Sequence, residues 1–360
     1  MIYITKKMFN ASGSYFDTSP TLRGVKPIFN EIKLPKYNPP KEDTLGSLVI
    51  GGLIHKEVRR RIRHLLKPGC DLLELTKAIE KETIELSKNY NNINKGIGFP
   101  AGLSVNECAA HWAPSNNTKI VIGYDDIVKI DYGVEVNGWI IDSAFSISFN
   151  PKYDILLEAV KEATYQGIKS AGVDVDIHEW ARDVGEVMES YEINLDGKTN
   201  KIRAIENLGG HNILNGIIHG GMFLPPKDLG DKLPSDYRFK EGVYAIETFG
   251  STGTNRMKET GKATLFRINP TNPYINSKFD GLNNFNKKLI SNFKTLPFCD
   301  RYVSDFDSNY QQYLDMLTQN DVVKAYPPLC GKKGEYTAQY EHTIYLQDGK
   351  KVVCSQGEDY

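Results

Sequence analysis

The sequence predicts an α+β protein whose body is built from two related halves, and three observations carry that prediction. Two helical patterns precede a β-hairpin pattern at 128–144, two more helical patterns follow it, and strand-like runs at 242–250 and 340–346 repeat the order. Similarity between the halves is confined to this order of elements. No low-complexity tract or long flexible linker divides the chain, so residues 43–360 read as one domain.

Residues 1–42 carry Pro20, Pro27, Pro35, Pro39 and Pro40 with little periodicity, which predicts an N-terminal arm lying along the body. Regular structure begins after it. The run "DTLGSLVIGGLIHKEVRRRIRHLLKPG" has helical spacing, an Asp/Thr start and a Lys-Pro-Gly stop, and "DLLELTKAIEKETIELSKNY" predicts a second amphipathic helix from near Asp71. In "VKIDYGVEVNGWIIDSA", two runs rich in Val, Ile, Tyr and Trp flank Asn137-Gly138, a dipeptide suited to the positive φ angles of a type I′ turn. A two-residue turn sets Val136 opposite Trp139, Asp131 opposite Ala144 and Asp142 opposite Gly133. Both aspartates then share one face as diagonal neighbours, with Cα atoms roughly 7 Å apart. The other face offers Ile130, Tyr132, Ile141 and Phe145 to a core.

After the hairpin, "NPKYDILLEAVKEATYQGIKSAG" opens with Asn as N-cap and Pro at the first helical position and closes at Gly172, and "DIHEWARDVGEVMESY" predicts a fourth helix. The segments "GVYAIETFG" and "YEHTIYL" read as strands. Between them, "DGLNNFNKKLISNF" and "SNYQQYLDMLTQND" are short helical patterns within an insertion at about 270–325.

Composition excludes several function classes. The 360 residues are 40% hydrophobic and 25% charged, typical of a globular chain with a large core. With 44 basic against 45 acidic residues, nothing global favours nucleic acid or an anionic membrane. Cys70, Cys108, Cys299, Cys330 and Cys354 are scattered with no CxxC pair, which argues against a disulfide framework or a structural zinc site and for a reducing compartment. The N-terminus lacks an apolar signal region and no stretch is long enough to span a bilayer, so a cytoplasmic protein is expected.

Carboxylates recur in the apolar strands: Asp131 and Asp142 in the hairpin, Glu247 in "VYAIETFG" and Glu341 in "AQYEHTIYL". Each alone fits a solvated face or an ion pair with Lys or Arg, and the hairpin alone leaves both readings open. His211 in "NLGGHNI" and His219 in "GIIHGG" sit among glycines, where a histidine is commonly a turn residue, and His111 in "NECAAHW" lies upstream of the hairpin in a short run of small residues. Together, four acids on strands would demand compensating cations, and two divalent ions would supply them. One imidazole with four carboxylates is an oxygen-rich ligand set suited to Mn, Fe(II), Co or Zn, and a pair of such ions equips a site for hydrolysis.

The stretches "AAHW", "KIDYG", "IIDSAFS", "NLGGHNI", "IHGG", "YAIETFGSTG", "YPPL", "YTAQYEHTI" and "GEDY", in this order, closely resemble the type 2 methionine aminopeptidases from about residue 45 to Tyr360. The resemblance implies the pita-bread fold, with two pseudo-symmetric antiparallel halves backed by helices, one catalytic domain over 43–360, and a helical insertion characteristic of type 2. It implies removal of the initiator methionine from nascent chains with a small second residue, by attack of metal-activated water. Asp131 would chelate one metal, His211 and Glu247 the other, and Asp142 and Glu341 both. His219 would stabilise the oxyanion, His111 would touch the scissile region, and Glu247 would shuttle a proton. Phe99, Ile218, Phe249, Tyr326 and Leu329 would line the methionine pocket. A monomer acting near the ribosome is expected, although the lysine-rich extension of animal relatives is missing. Two positions depart from the family pattern: Gly209, where Asn is common, and Leu265, where His is common.

Two alternatives compete. A proline peptidase of the same fold would use the same ligands, and the insertion and the "YPPL" and "EHTI" contexts argue against it. A metal-free binding protein of the same fold would show replaced ligands and basic tails, and the sequence has neither.

Overall fold

The structure is a computed structural model that describes residues 21–347 and 349–360, so the part of the predicted arm up to Pro20 lies outside the described residues. Helix α1 (Thr44–Ile62) starts where Asp43 accepts from the Gly46 amide at 2.8 Å, and Arg59, Arg60 and Arg61 sit in its last turn, where cations suit the helix dipole. Helix α2 (Leu72–Ser87) starts at Asp71, whose carboxylate accepts from Leu73 and Glu74. Both predicted starts are observed.

Strands β1 (Ile97–Val105), β2 (Cys108–Ala110), β3 (Ile127–Val136) and β4 (Trp139–Ser148) follow, and β1-β3-β4 form an antiparallel sheet. The β3–β4 turn holds Asn137 at φ +56° and Gly138 at φ +86°, as a type I′ turn requires. Its register is the predicted one: Val136 faces Trp139, Asp131 faces Ala144 and Asp142 faces Gly133. The solvated-face reading of this hairpin fails. β4 lies beside a strand of the second half, and Asp142 is only 4% exposed.

The predicted Asn-Pro start of the third helix is a 3₁₀ turn, Pro151–Tyr153, capped by Asn150 and leading into α3 (Asp154–Ser170). Helix α4 (Ile177–Glu189) is capped by Asp176. Short strands β5 (Glu192–Leu195) and β6 (Lys198–Lys201) make a peripheral hairpin, and β7 (Arg203–Ala204), β8 (Gly210–Ile213), β9 (Phe223–Leu224) and β10 (Gly242–Ser251) enter the second half. Next come β11 (Lys258–Glu259), β12 (Leu265–Ile268), α5 (Asp280–Phe293), β13 (Phe298–Cys299), α6 (Asp300–Val303), α7 (Tyr310–Gln319), β14 (Val323–Tyr326) and β15 (Leu329–Cys330). The long β16 (Thr337–Gln347) and β17 (Lys350–Val353) complete a sheet ordered β17-β16-β10-β8-β9, with β7 on β10.

Helices α1 and α2 back the first sheet, and α3 backs β10 and β16 with α4 packed on it, so each half is a sheet with its own helix pair. One large core joins these layers. Between β12 and β14, Phe266, Leu282, Phe285, Leu289, Phe298 and Leu317 bury a separate core beneath the small sheet β13-β12-β14. The described part of the arm is tied to the body: the Arg23 amide donates to Ser148, Tyr90 donates to the Pro35 carbonyl at 2.6 Å, and Asn137 donates to Pro39. The five cysteines are free, and no described helix is long and apolar enough to cross a membrane.

Candidate metal centre

Five elements deliver the candidate ligands: β3 carries Asp131, β4 Asp142, β8 His211, β10 Glu247 and β16 Glu341. Ladder register fixes their order in the second half. Glu247 stands directly opposite Glu341, and His211 stands opposite Ala245, two residues before Glu247. Across the halves, His211 Nε2 lies 3.4 Å from Asp142 Oδ2 and 3.8 Å from Glu247 Oε1. Asp142, His211 and Glu341 place ligand atoms within 4.8 Å of one another. Asp131 joins them through Gln339, whose Nε2 donates to Asp131 Oδ2 at 3.2 Å and to Glu247 Oε2 at 3.1 Å.

Among the described residues, no Lys or Arg forms an ion pair with these acids. Burial raises the carboxyl pKa values of Asp131, Glu247 and Glu341 well above the ordinary range, and the charge of Asp142 adds to each. Asp131 Oδ1 and both carboxylate oxygens of Glu341 are buried, with no hydrogen-bond partner among the described residues. His211 Nδ1 lies 3.4 Å from the Asn212 carbonyl, and an Nδ1–H donated there leaves the Nε2 lone pair facing the acids. Buried oxygens with unused lone pairs, one imidazole and no thiolate fit divalent ions of the hard or borderline class.

His111 and His219 stand apart from this ligand set and line the adjoining cleft. The His219 ring is 4.4 Å from that of His211 and 6.0 Å from that of Tyr326, and the His111 ring meets Tyr326 edge-on at 5.4 Å. Burial pushes His111 down to about 4 against a Pro327 carbonyl that favours its proton. Burial, and then the neighbouring His211, pushes His219 well below its ordinary value. Both are neutral imidazoles at pH 7. His111 also holds φ at +64°, a left-handed conformation that non-glycine residues keep only where surroundings enforce it.

The cleft encloses about 90 Å³, and Phe99, Ile218, Phe249 and Tyr326 line its apolar side beside the acids. Gly133, the register partner of Asp142, makes room for this wall: a Cβ there would lie 2.3 Å from the Phe99 ring. Leu329 pairs on β15 with Ala110, which lines the cleft, and packs with Phe249 and Met257. Of the two departures, Leu265 lines the cleft opposite Tyr326 on β14, whereas Gly209 packs on the Leu224 carbonyl outside it. Sequence reading also missed Gln339 and Leu208, which line the cleft. Strand parity exposes the first, since Gln339 sits two residues before Glu341 and must share its face.

Residues 50–248 match the model of metallopeptidase family M24. The chain is 43% identical over 312 residues to methionine aminopeptidase 2 of Clavispora lusitaniae, covering 86% of this chain and 71% of that protein. It is 44% identical to the Komagataella phaffii protein of the same name, covering 86% of this chain and 69% of the other. Among solved structures, a thermophilic Arx1 superposes with TM-score 0.73 at 16% identity, over 89% of this chain and 92% of its own. A methionine aminopeptidase from Thermotoga maritima superposes with TM-score 0.57 at 16% identity, over 90% and 100%. At these identities the structural likenesses speak to the fold alone.

Proposed function

The chain belongs to metallopeptidase family M24 and, within it, to the type 2 methionine aminopeptidases, and from that premise we propose a role for each residue of the cleft. The fold is the pita-bread fold and the protein is a metallo-exopeptidase that removes N-terminal methionine. The observation that best supports the assignment of roles is the buried, partnerless set of acid oxygens at the floor of an apolar cleft.

Asp131, Asp142, His211, Glu247 and Glu341 would hold two divalent ions (Co, Mn, Fe or Zn), Asp131 serving one, His211 and Glu247 the other, and Asp142 and Glu341 both. Such ions would lower the pKa of water and polarise a carbonyl. The remaining work belongs to the chain. Phe99, Ile218, Phe249 and Tyr326 take the methionine side chain and exclude charged first residues, because burying an unpaired charge costs several kcal/mol. His219, neutral but still an N–H donor, faces the scissile carbonyl and binds its oxygen more strongly as charge develops there. His111 contacts the substrate at the scissile bond. Glu247 would carry a proton at its carboxylate towards the leaving amine. The room beside Leu265 admits a small second residue.

Residues 43–360 act as one catalytic domain, with the helical segment at about 270–325 as an insertion. The substrates are N-termini of nascent chains, met near the ribosome by a cytoplasmic monomer with no specific nucleic-acid or membrane partner. Cleavage of Met-Ala-Ser tests the reading: activity should vanish on chelation and return with Co(II) or Mn(II). Full turnover in metal-free protein would overturn the mechanism, and comparable rates on Met-Ala and Met-Lys peptides, or faster cleavage of Ala-Pro than of Met-Ala, would overturn the selectivity.

A further inference from the structure

Asp142 and Glu341 belong to different sheets, and among the described residues no backbone ladder joins β4 to β16 although the two strands lie side by side. Side-chain hydroxyls take the ladder's place. Ser143 Oγ donates to the Glu341 carbonyl at 2.8 Å. Thr343 Oγ1 accepts from the Asp142 amide and donates to the Asp142 carbonyl, both at 2.7 Å. Ser146 Oγ donates to the Gln339 carbonyl at 2.9 Å and accepts from the Gln339 amide at 2.8 Å. All three hydroxyl residues are 0% exposed. A hydroxyl is donor and acceptor in one atom, so each can replace an N–H and C=O pair where two strands meet without matching pleats.

The targets of these bonds are not arbitrary backbone positions. They are the peptide groups of Asp142 and Glu341 themselves, and of Gln339, which holds Asp131 and Glu247. A further layer fixes the hydroxyls. The Tyr360 hydroxyl lies 2.9 Å from Ser143 Oγ and, since Ser143 gives its own proton to Glu341, Tyr360 is the donor. Arg59 grips Asp359 with two bonds of 2.6 and 2.8 Å, and its guanidinium carbon stands 4.4 Å over the Tyr360 ring. Ser355 Oγ accepts from the Thr343 amide at 3.1 Å.

We propose that Ser143, Ser146 and Thr343 are positioning residues that hold Asp142 and Glu341 at the separation a bridged pair of divalent ions requires, with Tyr360 locking Ser143 in place. This rests on the reading that those two carboxylates bridge two ions. Both ions would share these two carboxylates, but one would have only Asp131 besides them, whereas the other would also have His211 and Glu247. Loosening the seam therefore weakens the second ion more than the first.

The test is calorimetric titration of chelator-treated full chain with Mn(II), alongside the visible spectrum with Co(II) and melting of the metal-free protein. Thr343→Val keeps the side-chain shape without the hydroxyl. It should weaken the second ion by ~10–100-fold, the range typical for residues that orient metal ligands, while leaving the first nearly unchanged. Thr343→Ser should restore the second ion, and Ser143→Ala and Tyr360→Phe should shift it in the same direction, Tyr360→Phe least. Wild-type affinity for two ions in both Thr343→Val and Ser143→Ala, with unshifted Co(II) spectra, would overturn the proposal, as would failure of Thr343→Ser to restore binding. If melting shows that Thr343→Val does not fold, Ser143→Ala and Tyr360→Phe decide it alone. Wild-type protein that binds only one ion would instead overturn the bridging reading beneath it.

Discussion

The two halves bring two acids each to the same site, and they do it differently. In the first half a two-residue turn joins β3 to β4, and Asp131 and Asp142 stand diagonally, each opposite a residue without charge. In the second half β10 and β16 are separated by the whole insertion, and Glu247 stands directly opposite Glu341. Like charges directly opposite each other destabilise a ladder, whereas a diagonal pair is farther apart. The fold is duplicated, yet the electrostatic load is not. Without cations, Asp142 is the charge that most raises both Glu247 and Glu341, so the repulsion crosses between the halves.

The largest expected effect breaks this comparison at its centre. Glu341→Ala should bring Met-Ala-Ser cleavage to the detection floor and strip metal from the protein, while Asp131→Ala should lose one ion and retain the other; elemental analysis of both variants measures it. Two ions retained by Glu341→Ala would show that the opposed pair is not what holds the site together. Next comes the division between the neighbouring histidines. His211→Ala should lose metal at one site, whereas His219→Ala should keep both ions and lower kcat roughly a hundredfold, the ~3 kcal/mol typical of a lost oxyanion donor. An emptied metal site in His219→Ala with both ions kept in His211→Ala would reverse the roles.

Gln339 links the halves, since one amide donates to Asp131 and to Glu247. Gln339→Leu should weaken metal binding about tenfold, as loss of a ligand-orienting bond commonly does, without abolishing turnover at saturating Mn(II). Unchanged affinity would confine Gln339 to lining the cleft. The smallest effect is on melting against pH. The raised pKa values of Asp131, Glu247 and Glu341 mean that the metal-free folded chain binds more protons than the unfolded chain above the ordinary carboxylate range. Stability then falls as pH rises through that window. Chelated protein should lose roughly a few degrees of melting temperature between pH 5 and pH 8, and Glu341→Gln should flatten the slope more than Asp131→Asn. Equal flattening by both would erase the asymmetry between the halves.

Local chemistry was legible and distant pairing was not. The hairpin register followed from Asn137-Gly138 and a period of two, and the helix starts followed from Asp43, Asp71, Asn150 and Asp176, because caps and turns are decided within a few residues. That Glu247 faces Glu341, or that β8 sets His211 beside them, depends on ladders between distant segments, which local spacing does not encode. Family resemblance supplied that grouping. The burial of Asp142 was unreadable for the same reason, because the strand beside β4 arrives from the other half. The facing of Leu329 was not legible, because a strand of two residues shows no periodicity from which to read it. Ser143 and Thr343 left no signal at all, since a buried hydroxyl between strands looks in sequence like any surface serine or threonine.

The spread of the site along the chain has a consequence of its own. Gln339 and Asp131 are 208 positions apart, and the Arg59–Asp359 grip spans 300. No contiguous fragment shorter than that separation contains a whole cleft, so a chain cut between Asp131 and Glu341 yields pieces that each hold part of the ligand set. Turnover therefore requires the chain from Phe99 to Glu341 to be made and brought together in one fold.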